Sequence, residues 1–260
     1  MSKIKMFQVD AFTDRLFAGN PAAVCILENQ ISDELMQSIA AENNLAETAF
    51  VVPGDKDFEI RWFTPSVEVD LCGHATLASA FVLFNCLDFR GPEVAFHSLR
   101  SGVLKVSQKD DIFFLDFPTD TLKSSDDTER ISLCIGMKPK ELYKGKTDYM
   151  ALVESESALF NLRPDLEKIS KLDARGLIVT AKGDTVDFVS RFFGPQSGVD
   201  EDPVTGSAHT SLIPLWSGKL GKTKMTAKQI SKRGGDLICE YKGDRCLIGG
   251  KAVLYMTGEI

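Results

Sequence analysis

The chain has 260 residues and a formal net charge of −7, from 37 acidic against 30 basic side chains, and it contains no long basic run. Such a surface excludes nucleic acid and anionic membranes as favourable partners. Hydrophobic residues make up 43% and charged residues 26%, a core-forming composition that excludes long disordered tracts and allows one large domain or two ordinary ones.

The start of the chain, "MSKIKMFQVDAF", lacks the apolar centre of a secretory signal. The segment "IKMFQVDAF" alternates as a strand, and "FAGNPAAVCIL" is a turn leading into a second strand. "SDELMQSIAAEN" follows as an amphipathic helix, capped by Ser32 and closed near Asn43 and Asn44. "ETAFVV" and "FEIRWFTP" are strands. The uncharged run from Leu71 to Leu87, "LCGHATLASAFVLFNCL", is too short and too polar for a membrane span and is expected to be a buried helix from about Gly73.

Three short β-rich segments come next, "EVAFHSL", "GVLKVSQ" and "DIFFLDFP", and then "FPTDTLKSSDDTER", whose polar composition marks it as a linker. "DYMALVES", "GLIVTAK" and "DFVSRFFGP" are strands, a second uncharged helix starts near Ser207, and "DLICEY", "RCLIGG" and "AVLYMTG" are the closing strands. The stretch "IRWFTPSVEVDLCGHATLASAF" echoes "VSRFFGPQSGVDEDPVTGSAHTSL". Each is a strand ending Arg-aromatic-Phe-x-Pro, an acidic loop, a glycine turn and an uncharged helix. The expected class is therefore α+β, with two pseudo-symmetric halves, each a barrel-like, mostly antiparallel sheet around one apolar helix. The expected halves are residues 1–117, with the last strand 251–260, and residues 118–250.

Six cysteines are scattered without CxxC spacing, which points to free thiols in a reducing cytoplasm rather than to structural zinc. Three dispersed histidines without HExxH argue against a zinc hydrolase, and no glycine-rich loop has phosphate-loop or dinucleotide spacing. "TGSAH" is not the GxSxG elbow of serine hydrolases. The expectation is chemistry without a metal or an organic cofactor.

What is left is a small set of polar residues. Glu47 is the sole charged side chain between Glu42 and Asp55 and opens an apolar strand. It is either a strand-end glutamate reaching solvent or a base kept in apolar surroundings. His74, just after Gly73 in the first turn of one apolar helix, and His209, in the second turn of the other, are structural hydrogen-bonders or functional groups. Asp202 precedes the second helix, in a loop with more acids than capping needs, and Ser207 follows Gly206 as a possible hydroxyl donor. A helix N-terminus attracts anions, so two such ends facing each other suit a small carboxylate.

Four segments, "VDAFTDRLFAGNPAAV", "NLAETAFV", "RWFTPSVEVDLCGHATLA" and "DEDPVTGSAH", resemble the PhzF-type phenazine-biosynthesis isomerase family across essentially the whole chain. The resemblance implies the diaminopimelate-epimerase-like fold with an active site between its halves, and a cofactor-free isomerase, commonly a homodimer. In the family's phenazine enzyme the substrate is trans-2,3-dihydro-3-hydroxyanthranilate. The glutamate that moves the proton falls on Glu47. The residues that hold the substrate fall on His74 of "GHAT", with Gly73, and on Asp202 and Ser207 of "EDPxTGSA", with Gly206. The epimerases of this fold use two thiols. Cys72 resembles the first, and no cysteine lies between Cys134 and Cys239 to supply the second. The implied activity is a proton shift on a small carboxylate-bearing metabolite. An amino-acid epimerase or racemase, or a non-catalytic binding or scaffolding protein, is the alternative.

Overall fold

A computed structural model describes residues 3–54 and 57–260. The chain forms two compact units, one made of residues up to Phe117 together with Ile248–Ile260, the other of Pro118–Leu247.

In the first unit, β1 (Lys5–Ala11) and β2 (Asn20–Ile26) form an antiparallel pair, and α1 (Asp33–Asn43) crosses over to β3 (Glu47–Pro53), which lies parallel to β2. β4 (Phe58–Phe63) pairs antiparallel with β3, and the short β5 (Glu68–Val69) folds back on β4. α2 (Gly73–Cys86) then crosses to β6 (Glu93–Ser98), parallel to β4, followed by β7 (Gly102–Lys109) and β8 (Ile112–Pro118) in antiparallel order.

The second unit adds β9 (Lys123–Ser124), α3 (Thr128–Ile135), β10 (Glu141–Lys144), β11 (Asp148–Leu152), α4 (Glu156–Phe160), α5 (Leu166–Ser170), β12 (Gly176–Lys182) and β13 (Phe188–Gly194). It continues with β14 (Val199–Asp202), α6 (Gly206–Leu220), β15 (Lys224–Gln229) and β16 (Gly235–Tyr241). β17 (Arg245–Gly250) and β18 (Ala252–Glu259) end the chain, and β18 returns to pair antiparallel with β1.

The pairing order from β10 to β16 repeats that of the first unit: an antiparallel pair, a parallel crossover through helix, an antiparallel pair with a short return strand, a second parallel crossover through the apolar helix, and an antiparallel pair. Each parallel step needs a crossover, so each repeat has one helical connection on the outside of its sheet and one through its middle.

The central helices differ in kind from the outer ones. Ten of the fourteen residues of α2 are buried, and its hydroxyls are satisfied inside the helix, Thr76 on the Cys72 carbonyl and Ser79 on that of Ala75. A helix without a polar face can only sit inside its sheet. In α6 the same holds until Lys219, with Trp216 stacked on Phe188 and donating its indole N–H to Thr180. α1 covers the other face of the first sheet through Met36 and Ala40, against Cys25, Phe50 and Phe63.

The echo read in the sequence has a physical counterpart. Arg61 of β4 forks onto Glu68 of β5 at 2.7 and 2.9 Å, and Arg191 of β13 forks onto Glu201 of β14 at 2.7 and 2.9 Å. Each guanidinium lies over the phenylalanine two residues on, Phe63 at 5.2 Å and Phe193 at 4.9 Å. Each sends its last nitrogen to the outer crossover, Arg61 to Asp33 and Arg191 to the carbonyls of Leu159 and Leu162. One bidentate pair thus closes the same hairpin in both repeats.

Three expectations need correction. The polar stretch 117–130 is not a free linker: β9 pairs with β10, Thr119 and Asp120 are bonded to Asp244 and Thr210, and α3 begins at Thr128. The acidic loop before the second helix contains β14, paired on β13. α3, α4, α5, β10 and β15 have no counterpart among the expected elements. α4 and α5 are single turns, too short for periodicity to register, and β15 alternates lysine and threonine with small or flexible buried residues. Among the described residues no helix is long and apolar enough to cross a membrane.

Replacing either arginine by methionine leaves a largely buried carboxylate without its bidentate partner, with Arg100 still reaching Glu68 at 3.3 Å. Arg61→Met and Arg191→Met are each expected to cost about 3 kcal/mol, by similar amounts, in urea unfolding of the whole chain.

Candidate active site

The first cluster assembles where β2, β3 and α2 begin. Gly19 holds φ +64°, and a Cβ there would lie 2.2 Å from the Ala11 carbonyl oxygen, so only glycine allows this entry to β2. Asn20 is then the first residue of β2, opposite Ala11 and fully buried. Glu47 opens β3 in register with Ala22, and its side chain is 17% exposed. Cys72 is the N-cap of α2 without capping through its side chain, and His74 sits in the first turn.

These elements bring four side chains together. The Asn20 amide nitrogen is 3.0 Å from His74 Nδ1, Cys72 Sγ is 3.5 Å from the same nitrogen, and His74 Nε2 is 3.2 Å from Glu47 Oε2. The last contact is close in distance, but its angle falls short of a hydrogen bond. Burial pushes the His74 pKa down to about 3, so at neutral pH this is a neutral imidazole beside a carboxylate, not an ion pair.

Glu47, Cys72 and His74 each offer one metal-ligating atom, all within 4.8 Å of one another. Cysteine spacing could not reveal this trio, because Glu47 comes from another strand. With its amide nitrogen toward the ring, Asn20 donates to Nδ1 and leaves the imidazole proton to Nε2, while among the described residues neither Asn20 Oδ1 nor His74 Nε2, both buried, makes a hydrogen bond. Ligation through Nε2 would require that proton to move to Nδ1 and the Asn20 amide to turn over, and ligation through Nδ1 would displace the Asn20 amide.

In the second unit Asp202 ends β14 and accepts from the Thr205 hydroxyl at 2.5 Å. Gln229, buried at the end of β15, fastens this turn three ways: its amide oxygen takes the Thr205 N–H, and its nitrogen reaches the Asp202 carbonyl and the Thr205 hydroxyl. Gly206 and Ser207 start α6. The Ser207 hydroxyl accepts from Arg175 Nη1 at 2.9 Å, and Arg175 is itself forked onto the buried Asp148 and lies over Phe192. Arg175, Asp148 and Gln229 were not singled out in the sequence. A buried glutamine at a strand end or an arginine before a strand becomes informative only when its partner is known.

His209 is wholly buried in α6, where Nδ1 donates to the Thr205 carbonyl at 2.8 Å, and burial takes its pKa down to about 4. It is a structural histidine. His97 is exposed and lies 2.6 Å from Asp57.

Superposing the repeats on their Arg–Glu forks pairs the site positions. Four and six residues after Glu68 stand Cys72 and His74, and at the same steps after Glu201 stand Thr205 and Ser207. Thr48 faces Phe63 as Leu177 faces Phe193, so the counterpart of Glu47 is Gly176. A Cβ on Gly176 would meet the Phe192 ring at 2.4 Å. The second repeat therefore has no basic side chain at any of the three positions. Val69 in turn corresponds to Asp202, since Trp62 and Phe192 face them in the two hairpins.

The family model described as phenazine biosynthesis-like protein matches residues 9–258. The chain belongs to the phenazine biosynthesis-like (PhzC–PhzF) family. Within that family it is 49% identical to an uncharacterized isomerase of Pseudomonas aeruginosa, over 99% of both chains. It is 39% identical to the human phenazine biosynthesis-like domain-containing protein, again over 99% of both. The crystal structure of a PhzF-family protein from Enterococcus faecalis matches with a TM-score of 0.96 at 45% identity, covering 99% of each chain. A hydroxyproline epimerase from Agrobacterium vitis shares the fold, with a TM-score of 0.62 at 11% identity. This PhzF-family chain thus has the epimerase-like α+β architecture that its repeat implies.

The two buried histidines link stability to pH. Each is neutral when folded and takes up a proton below its ordinary value of 6.5 when unfolded. The unfolded state then binds more protons, so the stability present above pH 6.5 is lost as pH falls toward 4, by about 1.4 kcal/mol per pH unit for each histidine. Urea unfolding across this range is expected to show that slope, shallower by one proton in His209→Gln.

Proposed function

We propose that this PhzF-family protein is an isomerase in which Glu47 alone carries the proton. It lifts a proton from one carbon of a small carboxylate-bearing metabolite and returns it to another carbon on the same face. The class is similar to trans-2,3-dihydro-3-hydroxyanthranilate. No organic cofactor takes part. The names of the relatives support isomerase chemistry at the level of the family.

The asymmetry between the repeats supports the one-base reading: glycine stands where the second repeat would need a carboxylate, and threonine where it would need a thiol. Within the first unit, the Glu47 and Cys72 atoms lie within 4.8 Å of one another. A carbon held between two bases at about 3–3.5 Å from each needs about 6 Å or more between them. Glu47 and Cys72 therefore stand side by side rather than on opposite faces, which disfavours racemisation through this pair. His74, a neutral imidazole beside Glu47, suits hydrogen bonding to a substrate better than acid catalysis. Substrate contacts are assigned to His74, Gly73, Asp202, Gly206 and Ser207.

Assembly as a homodimer is part of the proposal. Phe17, 70% exposed, packs edge-on to the exposed Tyr255, beside exposed Leu16 and Met256, an apolar patch of the kind interfaces cover. Light scattering at micromolar concentration is expected to give twice the chain mass, and a monomer would remove this part.

Turnover can be read without knowing the product, by incubating candidate cyclic and amino-acid carboxylates in D2O and following deuterium at carbon by mass spectrometry. Glu47→Gln, nearly isosteric, is expected to cut incorporation roughly a thousandfold, about 4 kcal/mol in barrier, with folding intact. Cys72→Ser is expected to change it only modestly. If both variants are equally damaging, the thiol is a base and the epimerase reading takes over.

A further inference from the structure

We propose that Asn20 is a positioning residue that sets the tautomer of His74, keeping Nδ1 as the acceptor and the proton on Nε2, the nitrogen 3.2 Å from the Glu47 carboxylate. The inference deepens the reading of Glu47 as the proton carrier and rests on it for its functional meaning, while the tautomer itself follows from the Asn20–His74 contact.

The Asn20 amide nitrogen, 3.0 Å from Nδ1, can only donate. A neutral imidazole has one N–H, so when Nδ1 accepts, the proton sits on Nε2. That nitrogen faces the Glu47 carboxylate at 3.2 Å. In the other tautomer a lone pair would confront the carboxylate oxygen, and Nδ1 would press its hydrogen against those of the amide.

The backbone enforces this placement. Gly19 takes the left-handed conformation that turns the chain into β2, and Asn20 follows in register with Ala11, fully buried. Its side chain is thereby delivered to α2 rather than to solvent.

His209 provides the contrast inside the same molecule. Its Nδ1 lies 2.8 Å from the Thr205 carbonyl, a group that can only accept, so that ring is Nδ1–H with a bare Nε2, and the contrast lies at Nδ1, since among the described residues Nε2 is buried without a hydrogen-bond partner in both rings. Two buried, neutral histidines in the two central helices thus hold opposite tautomers. The difference is imposed by one amide and one carbonyl.

The test is a long-range 1H–15N spectrum of the three histidine rings in the full-length, 15N-labelled protein at neutral pH. His74 is expected to show a protonated Nε2 and a bare Nδ1, and His209 the reverse. Asn20→Asp keeps the shape but offers Nδ1 a carboxylate, so His74 Nδ1 should become protonated while His209 is unchanged. A role in packing alone would leave the ring as it was. Asn20→Ser, too short to reach Nδ1, should give averaged shifts for His74, and it serves if the aspartate variant does not fold. A wild-type His74 protonated on Nδ1, or a tautomer indifferent to both substitutions, overturns the proposal. Glu47→Gln keeps Asn20 and should leave the His74 pattern intact, so loss of the Glu47 assignment by deuterium incorporation is read separately from this result.

Discussion

The structure depends on one packing constraint: each half contains a helix with no polar face. α2 and α6 cannot lie on a surface, so each sheet must surround its helix, and the interior hydroxyls must bond back along the helix. Because the flanks are sealed by strands, polar chemistry concentrates where the helix begins. The unpaired N–H groups of that first turn and the residues at the adjoining strand starts are gathered there.

The repeat divides labour between frame and chemistry. The Arg–Glu fork, the arginine over phenylalanine and the tie to the outer crossover are the same in both units. The positions this frame delivers to the helix start are not. Glu47, Cys72 and His74 in one unit stand against Gly176, Thr205 and Ser207 in the other, and Val69 stands against Asp202. Similar scaffolding thus carries Glu47, Cys72 and His74 in one unit, and in the other a Ser207 hydroxyl bonded to Arg175 and a turn fastened by Gln229.

Much of this was legible in the chain. The apolar helices declare themselves by lacking charge over more than three turns, and the repeat by its Arg-aromatic-Phe-x-Pro echo, although the Arg–Glu forks at those positions emerge only when the strands pair. Glu47 is conspicuous as a lone carboxylate before "TAFVV". The short helices α4 and α5 and the strand β15 were not legible, since five residues show no period and a strand rich in lysine looks like surface. Nor was the role of Asn20. In "FAGNP" it reads as a turn residue, and only the left-handed Gly19 and the strand register turn it toward His74.

The sequence by itself determined the α+β class, the internal repeat, the two wrapped helices and the identity of the lone carboxylate, because these follow from local composition and period. Tertiary structure alone decided the partners. Glu47 and His74 are separated by a hairpin, and Asn20 comes from a third element, so their contacts exist only once β2, β3 and α2 start at the same place. A tautomer depends on which atom a neighbour presents at 3 Å, and no local pattern encodes that. The same holds for the asymmetry of the repeats: that Gly176 occupies the place of Glu47 is a statement about register, and register is settled when the strands pair.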